Sequence, residues 1–148
     1  MRARDLASPF PTVARDTPAI EAARLLAGQD LPGLIVLDDH GYPSTILAGT
    51  QVLRMAIPQY CLDDPTLTRV IDEAAADLFL RELGDRTVAQ ALPRQTPDLA
   101  VVAPDATVLE IAALMARTRT PLVAVVDKDR TMLGAITLDA LLDRMLTA

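Results

Sequence analysis

The chain is poor in aromatic and redox-active residues. Its 148 residues hold no tryptophan, two tyrosines, two phenylalanines, one cysteine and one histidine. Aromatics make up 3% against an apolar total of 51%, so the core must be packed from Leu, Val, Ile and Ala. That balance belongs to a globular chain and not to a disordered one. Because Cys61 is alone, an intrachain disulfide and a cysteine metal cluster are both excluded, and a reducing compartment fits. With no histidine beside it, Cys61 reads as a small buried hydrophobe and not as a nucleophile. His40 stands in a turn next to Gly41 without the clustered ligands of a metal site. The six glycines are scattered, so no glycine-rich loop is present to cradle a phosphate.

Positive charge is also scarce. Fourteen basic residues face twenty acidic ones, for a net charge of -6 and a pI near 4.6. This argues against the basic surface of a nucleic-acid binder or of a protein that sits on anionic membranes. Apolar runs such as "LVAVV" are strand-sized, far short of the roughly 20 residues that span a bilayer. The opening "MRARDLASPFPTV" lacks the apolar core of a signal peptide, which sets the expectation of a cytoplasmic protein.

What the chain does contain is itself, twice. A shift of 89 positions lays residues 13–55 on 102–144 without a gap, with about eleven identities. "VARDTPAIEAARLLA" falls on "VAPDATVLEIAALMA", and "LPGLIVLDD" falls on "TPLVAVVDK". Asp16 meets Asp105, Glu21 meets Glu110, Pro32 meets Pro121 and Asp38 meets Asp127. In the first copy Asp16 or Thr17 offers an N-cap with Pro18 at the first helical position; in the second, Thr107 and Glu110 form a capping box. "GLIVLD" and "LVAVVD" read as strands ended by acidic turn residues, each followed by a second run, "STILA" or "LGAIT". A closing helix follows, "TQVLRMAI" or "LDALLDRML". The order in each copy is extended segment, helix, strand, strand, helix.

Residues 58–86 have no counterpart. Asp64 and Pro65 make a helix start, and Leu67, Val70, Ile71, Ala74, Leu78 and Leu83 recur at helical spacing, which predicts an inserted amphipathic helix ending near Gly84. The chain therefore divides into a first motif at 1–57, a helical linker at 58–86 and a second motif at 87–148. "TVLEIAALMA" is apolar nearly all round and calls for burial on more than one face, against the other copy or another subunit.

Laid out in this way, the chain resembles a pair of CBS domains, the family named after cystathionine beta-synthase, in the tandem arrangement called a Bateman module. The features are paired: "ARDL" and "AQAL", "DTPAIEAARLLA" and "DATVLEIAALMA", "LPGLIVLDDHG" and "TPLVAVVDKDR", with "LGAITLDALL" at the closing corner. The resemblance implies an α+β fold, with two small sheets flanked by helices about a pseudo-twofold axis and two clefts between the copies. It also implies homodimerisation through apolar helices, adenine nucleotides or adenosyl ligands (AMP, ADP, ATP or S-adenosylmethionine) in the clefts, and a regulated protein partner in place of catalysis.

Family members that bind ligand place a Thr or Ser three residues after the corner glycine, for a phosphate, and an Asp three further on, for the ribose. Here Gly134 and Thr137 match, but the Asp position is Ala140 and Asp139 comes one residue early. One helical residue turns a side chain by about 100°. Asp139 is thus open to two readings, ribose ligand or first-turn carboxylate, and Thr137 to two, phosphate contact or N-cap. In the first copy the corner reads "STILAGTQV", with Thr45 for the glycine, Ala48 for the threonine and Gln51 for the aspartate, and Thr50 as a cap. Arg117 and Arg119 precede the second copy's strand where the first has Gly28 and Asp30, so an anionic ligand would choose the arginine side. The resemblance thus nominates Thr137, Asp139, Arg119, Arg117, Pro121 and Val102 as ligand contacts, with Gln51 and Thr50 from the other copy. The alternative is a pair that holds no ligand and serves as a dimerisation and interaction platform. No acid, base and nucleophile set for an enzyme is evident.

Overall fold

The computed structural model describes every residue except 30, 58–61, 70–76, 78–80 and 148. The first copy contributes β1 (Thr12–Ala14), α2 (Ala19–Gln29), β2 (Leu34–Leu37), β3 (Pro43–Leu47) and α3 (Gly49–Ala56), preceded by the short lead-in helix α1 (Ala3–Leu6). The second repeats the series: lead-in helix α4 (Val88–Ala91), β4 (Val101–Val102), α5 (Val108–Thr118), β5 (Leu122–Val126), β6 (Met132–Thr137) and α6 (Leu138–Thr147). Each copy forms a three-stranded sheet in which the first strand pairs parallel to the second and the second antiparallel to the third.

The repeat is kept to the residue. Both long helices begin and end 89 positions apart, Ala19–Gln29 against Val108–Thr118, and the closing helices start at Gly49 and Leu138. The ladders slip at equivalent places, Val36/Leu37 and Val125/Val126. The hairpins explain this. Asp38 accepts the backbone N–H groups of His40 and Tyr42 on Oδ1 at 2.9 and 3.0 Å, and Asp127 accepts those of Asp129 and Thr131, both at 2.9 Å. A short acidic side chain thereby holds a three-residue loop whose last residue is left-handed, Gly41 (φ 81) or Arg130 (φ 67).

Caps follow sequence chemistry with two adjustments. Thr107 accepts the Glu110 N–H at 3.2 Å, one of the two hydrogen bonds of the expected capping box. In the first copy, however, Pro18 stands before the helix, which starts at Ala19, and Thr17 accepts the Ala14 N–H instead. The cap of α3 is not Thr50 but Ala48, whose N–H is taken by Gln51 Oε1 at 2.8 Å; alanine has no acceptor, so the third helical residue reaches back.

The two lead-in helices are exchanged. Ala3 and Arg4 donate their N–H groups to Ala106 and Pro104 in the second copy, while Val88 and Ala89 donate theirs to Thr17 and Arg15 in the first. Ala3, wholly buried, packs with Ile111, Met115, Val123 and Ile136; Val88 and Leu83 pack with Val13, Ala22, Leu34 and Val52. Ser8 then exchanges both backbone hydrogen bonds with Ala135 on β6, at 3.0 and 2.9 Å. Each half-core is thus closed by the other copy's lead-in segment.

A third cluster joins the copies: Ile35, Leu99, Leu122, Ala124 and Ala135, flanked by Phe10, Leu37, Ile46, Val126 and Met132. It lies on the sheet faces opposite the helices, as the two-residue strand period requires. Of the linker, residues 65–69 form a 3-10 turn started by Asp64, which accepts from Thr66, and Leu83 is buried against the first copy. Residues 70–76 and 78–80 of the predicted amphipathic helix, and Cys61, lie outside the described residues.

Candidate functional site

The closing corner of the second copy is assembled from two loops. The N–H of Leu138, first residue of α6, is donated to the Pro121 carbonyl at 2.9 Å, which ties the turn after α5 to the start of α6. The bond sets the backbone of Pro121, two residues after Arg119, beside Leu138, which Thr137 and Asp139 flank. Thr137 accepts the Ala140 N–H at 3.2 Å, so its hydroxyl oxygen caps α6. It shares with Ala135 the face of β6 that looks toward the other copy. Asp139 is exposed in the first turn and has no partner among the described residues. Arg119 ends α5 in the left-handed conformation (φ 56), with its N–H on the Met115 carbonyl.

The remaining nominated residues fall elsewhere. Arg117 is exposed in the last turn of α5. Val102 pairs with Val125 and packs against the second copy's core. Gln51 is engaged as the cap of α3, and Thr50 is exposed beside it. Arg119 and Pro121 also line a groove of about 690 Å³ between α5 and α6, walled by Ala112, Ala116, Leu138, Leu142 and Met145. The outer face of this helix pair is strongly apolar: Leu109 and Leu146 are 74% and 83% exposed. At the 89-residue shift the first copy places Ile20, Ala23, Ala27, Leu53 and Ala56 on the matching face, of which Leu53 is 49% exposed.

Two clefts flank the hairpins where the copies meet, related by the 89-residue shift. One, of about 500 Å³, is lined by Phe10, Thr12, His40, Tyr42, Met132 and Leu133. The other, of about 410 Å³, has Asp38, Ser44, Asp98 and Arg130 around Leu99, Val101 and Val126. Tyr42 lines both. The Arg130 guanidinium lies over the Tyr42 ring at 5.6 Å, within cation–π range. The Tyr42 N–H holds the Asp38 carboxyl below its ordinary pKa, aided by the His40 N–H and by the charges of His40 and Arg130, against some desolvation.

None of these cleft residues was nominated from the sequence. The signal lay in the repeat alignment, which sets Arg130 on Gly41, a charged residue where the turn favours glycine. No group of histidine, cysteine or carboxylate side chains suited to a metal exists among the described residues. No helix among them is long and apolar enough to cross a membrane.

The chain belongs to the CBS domain family, whose model matches residues 3–46 and 89–147. It is a tandem CBS pair, a regulatory type of module. It is similar to a CBS domain-containing protein of Kribbella flavida at 49% identity, over 99% of each chain, with a TM-score of 0.91. The CBS domain of a membrane protein from Sphaerobacter thermophilus matches at 25% identity over 97% of this chain and 86% of that one, TM-score 0.72. CBSX2 in complex with AMP shares the fold at 19% identity, over 99% and 96% of the chains, TM-score 0.69. A comparison with curated proteins finds no match.

Proposed function

We propose that this CBS pair senses an adenine nucleotide or another adenosyl ligand at the second copy's corner and passes occupancy to a partner protein through a homodimer built on α5 and α6. The observation that supports the reading is the backbone tie between Leu138 and Pro121, which sets the turn that follows Arg119 beside the residues Thr137 and Asp139. A carboxylate accepts from a ribose diol, and a guanidinium meets phosphate oxygens. Both Asp139 and Arg119 have side chains unengaged among the described residues. The first copy offers no such set, because Gln51 is used as a cap. One ligand per chain follows. AMP is the first probe because CBSX2, which shares the fold, forms a complex with it.

Calorimetric titration of the whole chain with AMP, ADP, ATP and S-adenosylmethionine tests this. Saturable binding of at least one, weakened about tenfold or more by Asp139→Asn, is expected, since a charge-assisted hydrogen bond contributes about 1.5–3 kcal/mol. Flat titrations with all four overturn the ligand class. A second reading, a platform without ligand, is favoured by Thr137 serving as the cap of α6 and by Ala140 standing at the carboxylate position. Those flat titrations, together with partner capture that needs no nucleotide, would establish it.

A further inference from the structure

The two hairpin clefts occupy equivalent places, so whatever the fold alone demands should appear in both. It does not. Arg130, Asp98 and Val101 in one cleft stand where the other has Gly41, Pro9 and Thr12. Arg130 takes the left-handed conformation that glycine adopts freely, at about 1–2 kcal/mol for a residue with a Cβ. Its guanidinium is laid on Tyr42 of the other copy and makes no ion pair or side-chain hydrogen bond among the described residues. The Asp98 carboxylate is exposed and equally without a partner among the described residues. The same cleft is lined by the apolar Leu99, Val101 and Val126, with Val101 45% exposed.

Asp38 lines the same cleft, near enough for its carboxyl to feel the Arg130 charge but with no ion pair among the described residues. The guanidinium and the unpartnered Asp98 carboxylate thus border an apolar strip and match one chemical class. We propose that this cleft binds a small aliphatic α-amino acid, its carboxylate on Arg130, its ammonium on Asp98 and its side chain over Leu99, Val101 and Val126. The Ser44 hydroxyl, on the same wall, is a further donor to the carboxylate. A free amino acid fits within about 410 Å³, and both of its charges would meet opposite charges beside low-dielectric walls. This site is separate from the corner site and does not rest on the adenosyl reading.

The test is calorimetry on the whole chain with L-leucine, 4-methylpentanoate and 3-methylbutylamine, the last two each keeping a single charge. L-leucine should bind saturably at one per chain, and each single-charge analogue about tenfold or more weakly. Arg130→Gly keeps a residue suited to the left-handed turn, as Gly41 shows, so it removes the guanidinium without unfolding the hairpin. It and Asp98→Asn should each weaken L-leucine about tenfold or more while leaving the AMP titration unchanged. No heat with L-leucine up to about 10 mM overturns the proposal, as does binding that survives both substitutions. A melting curve of Arg130→Gly like that of the parent confirms that lost binding is not lost folding.

Discussion

Gly134 and Thr45 occupy equivalent positions, and each is explained by the lead-in segment that crosses it. A Cβ on Gly134 would lie 2.9 Å from the Ser8 carbonyl oxygen and 3.1 Å from the Ala7 Cβ. Thr45, 2% exposed, instead donates its hydroxyl to the Pro97 carbonyl at 3.0 Å. The corner glycine of the second copy is therefore a packing glycine. Gly134→Ala should destabilise by about 1–3 kcal/mol because a backbone oxygen has to yield. Gly28→Ala, near the end of α2 with nothing within 4 Å of its Cβ, should stabilise by about 0.5–1 kcal/mol. Urea melts of both variants decide the point, and equal midpoints would remove the close-contact account. Asp38 adds a pH dependence. Its folded pKa is lowered, so the stability it contributes is fully present above about pH 4 and is lost as pH falls through the lowered value. Asp38→Asn retains an acceptor for the turn but cannot titrate. It should flatten the fall in melting temperature below pH 4 by lowering the value at pH 7, while the two proteins converge at acid pH.

At the scale of elements, the exchanged helices α1 and α4 couple halves that would otherwise be separate. A four-residue helix is far too short to persist by itself, so its order comes from the core it closes. Ala3→Glu tests this, since it drives a charge into a wholly buried site. Hydrogen–deuterium exchange should then rise first in α5 and β6, more than 100 positions away, and only later in β2 and β3. Faster exchange confined to the first copy would contradict the exchange of lead-in segments. Because each half relies on the other's segment, unfolding is expected to be a single transition by every probe.

For the molecule as a whole, the apolar surface is unevenly shared. Leu109, Leu138, Leu142, Met145 and Leu146 are exposed on α5 and α6, whereas on α2 and α3 only Leu53 is an exposed large hydrophobic among the described residues. A patch of this kind marks an association surface, and in the proposed homodimer the second copies face each other. Leu142→Glu combined with Met145→Glu should convert dimer to monomer in sedimentation equilibrium, with the sheets intact by circular dichroism. A parent chain that is already monomeric at high micromolar concentration would remove the homodimer.

Much of this could be read without coordinates. The repeat shows as a self-match at 89 positions, while the hairpin aspartates and the Thr107 cap depend on residues within about five positions of one another, and local hydrogen bonding settles them. Thr137 and Asp139, two positions apart, could likewise be nominated from the sequence. Only the tertiary structure decided which core each lead-in helix closes, because "ARDL" and "VAQA" have apolar residues that suit either half. It also decided that Thr45 meets Pro97, 52 positions away, and that Arg130 of one hairpin lies over Tyr42 of the other. Sequence fixes what a residue is able to do nearby; the charged cleft exists because folding about the pseudo-twofold axis sets two distant turns side by side.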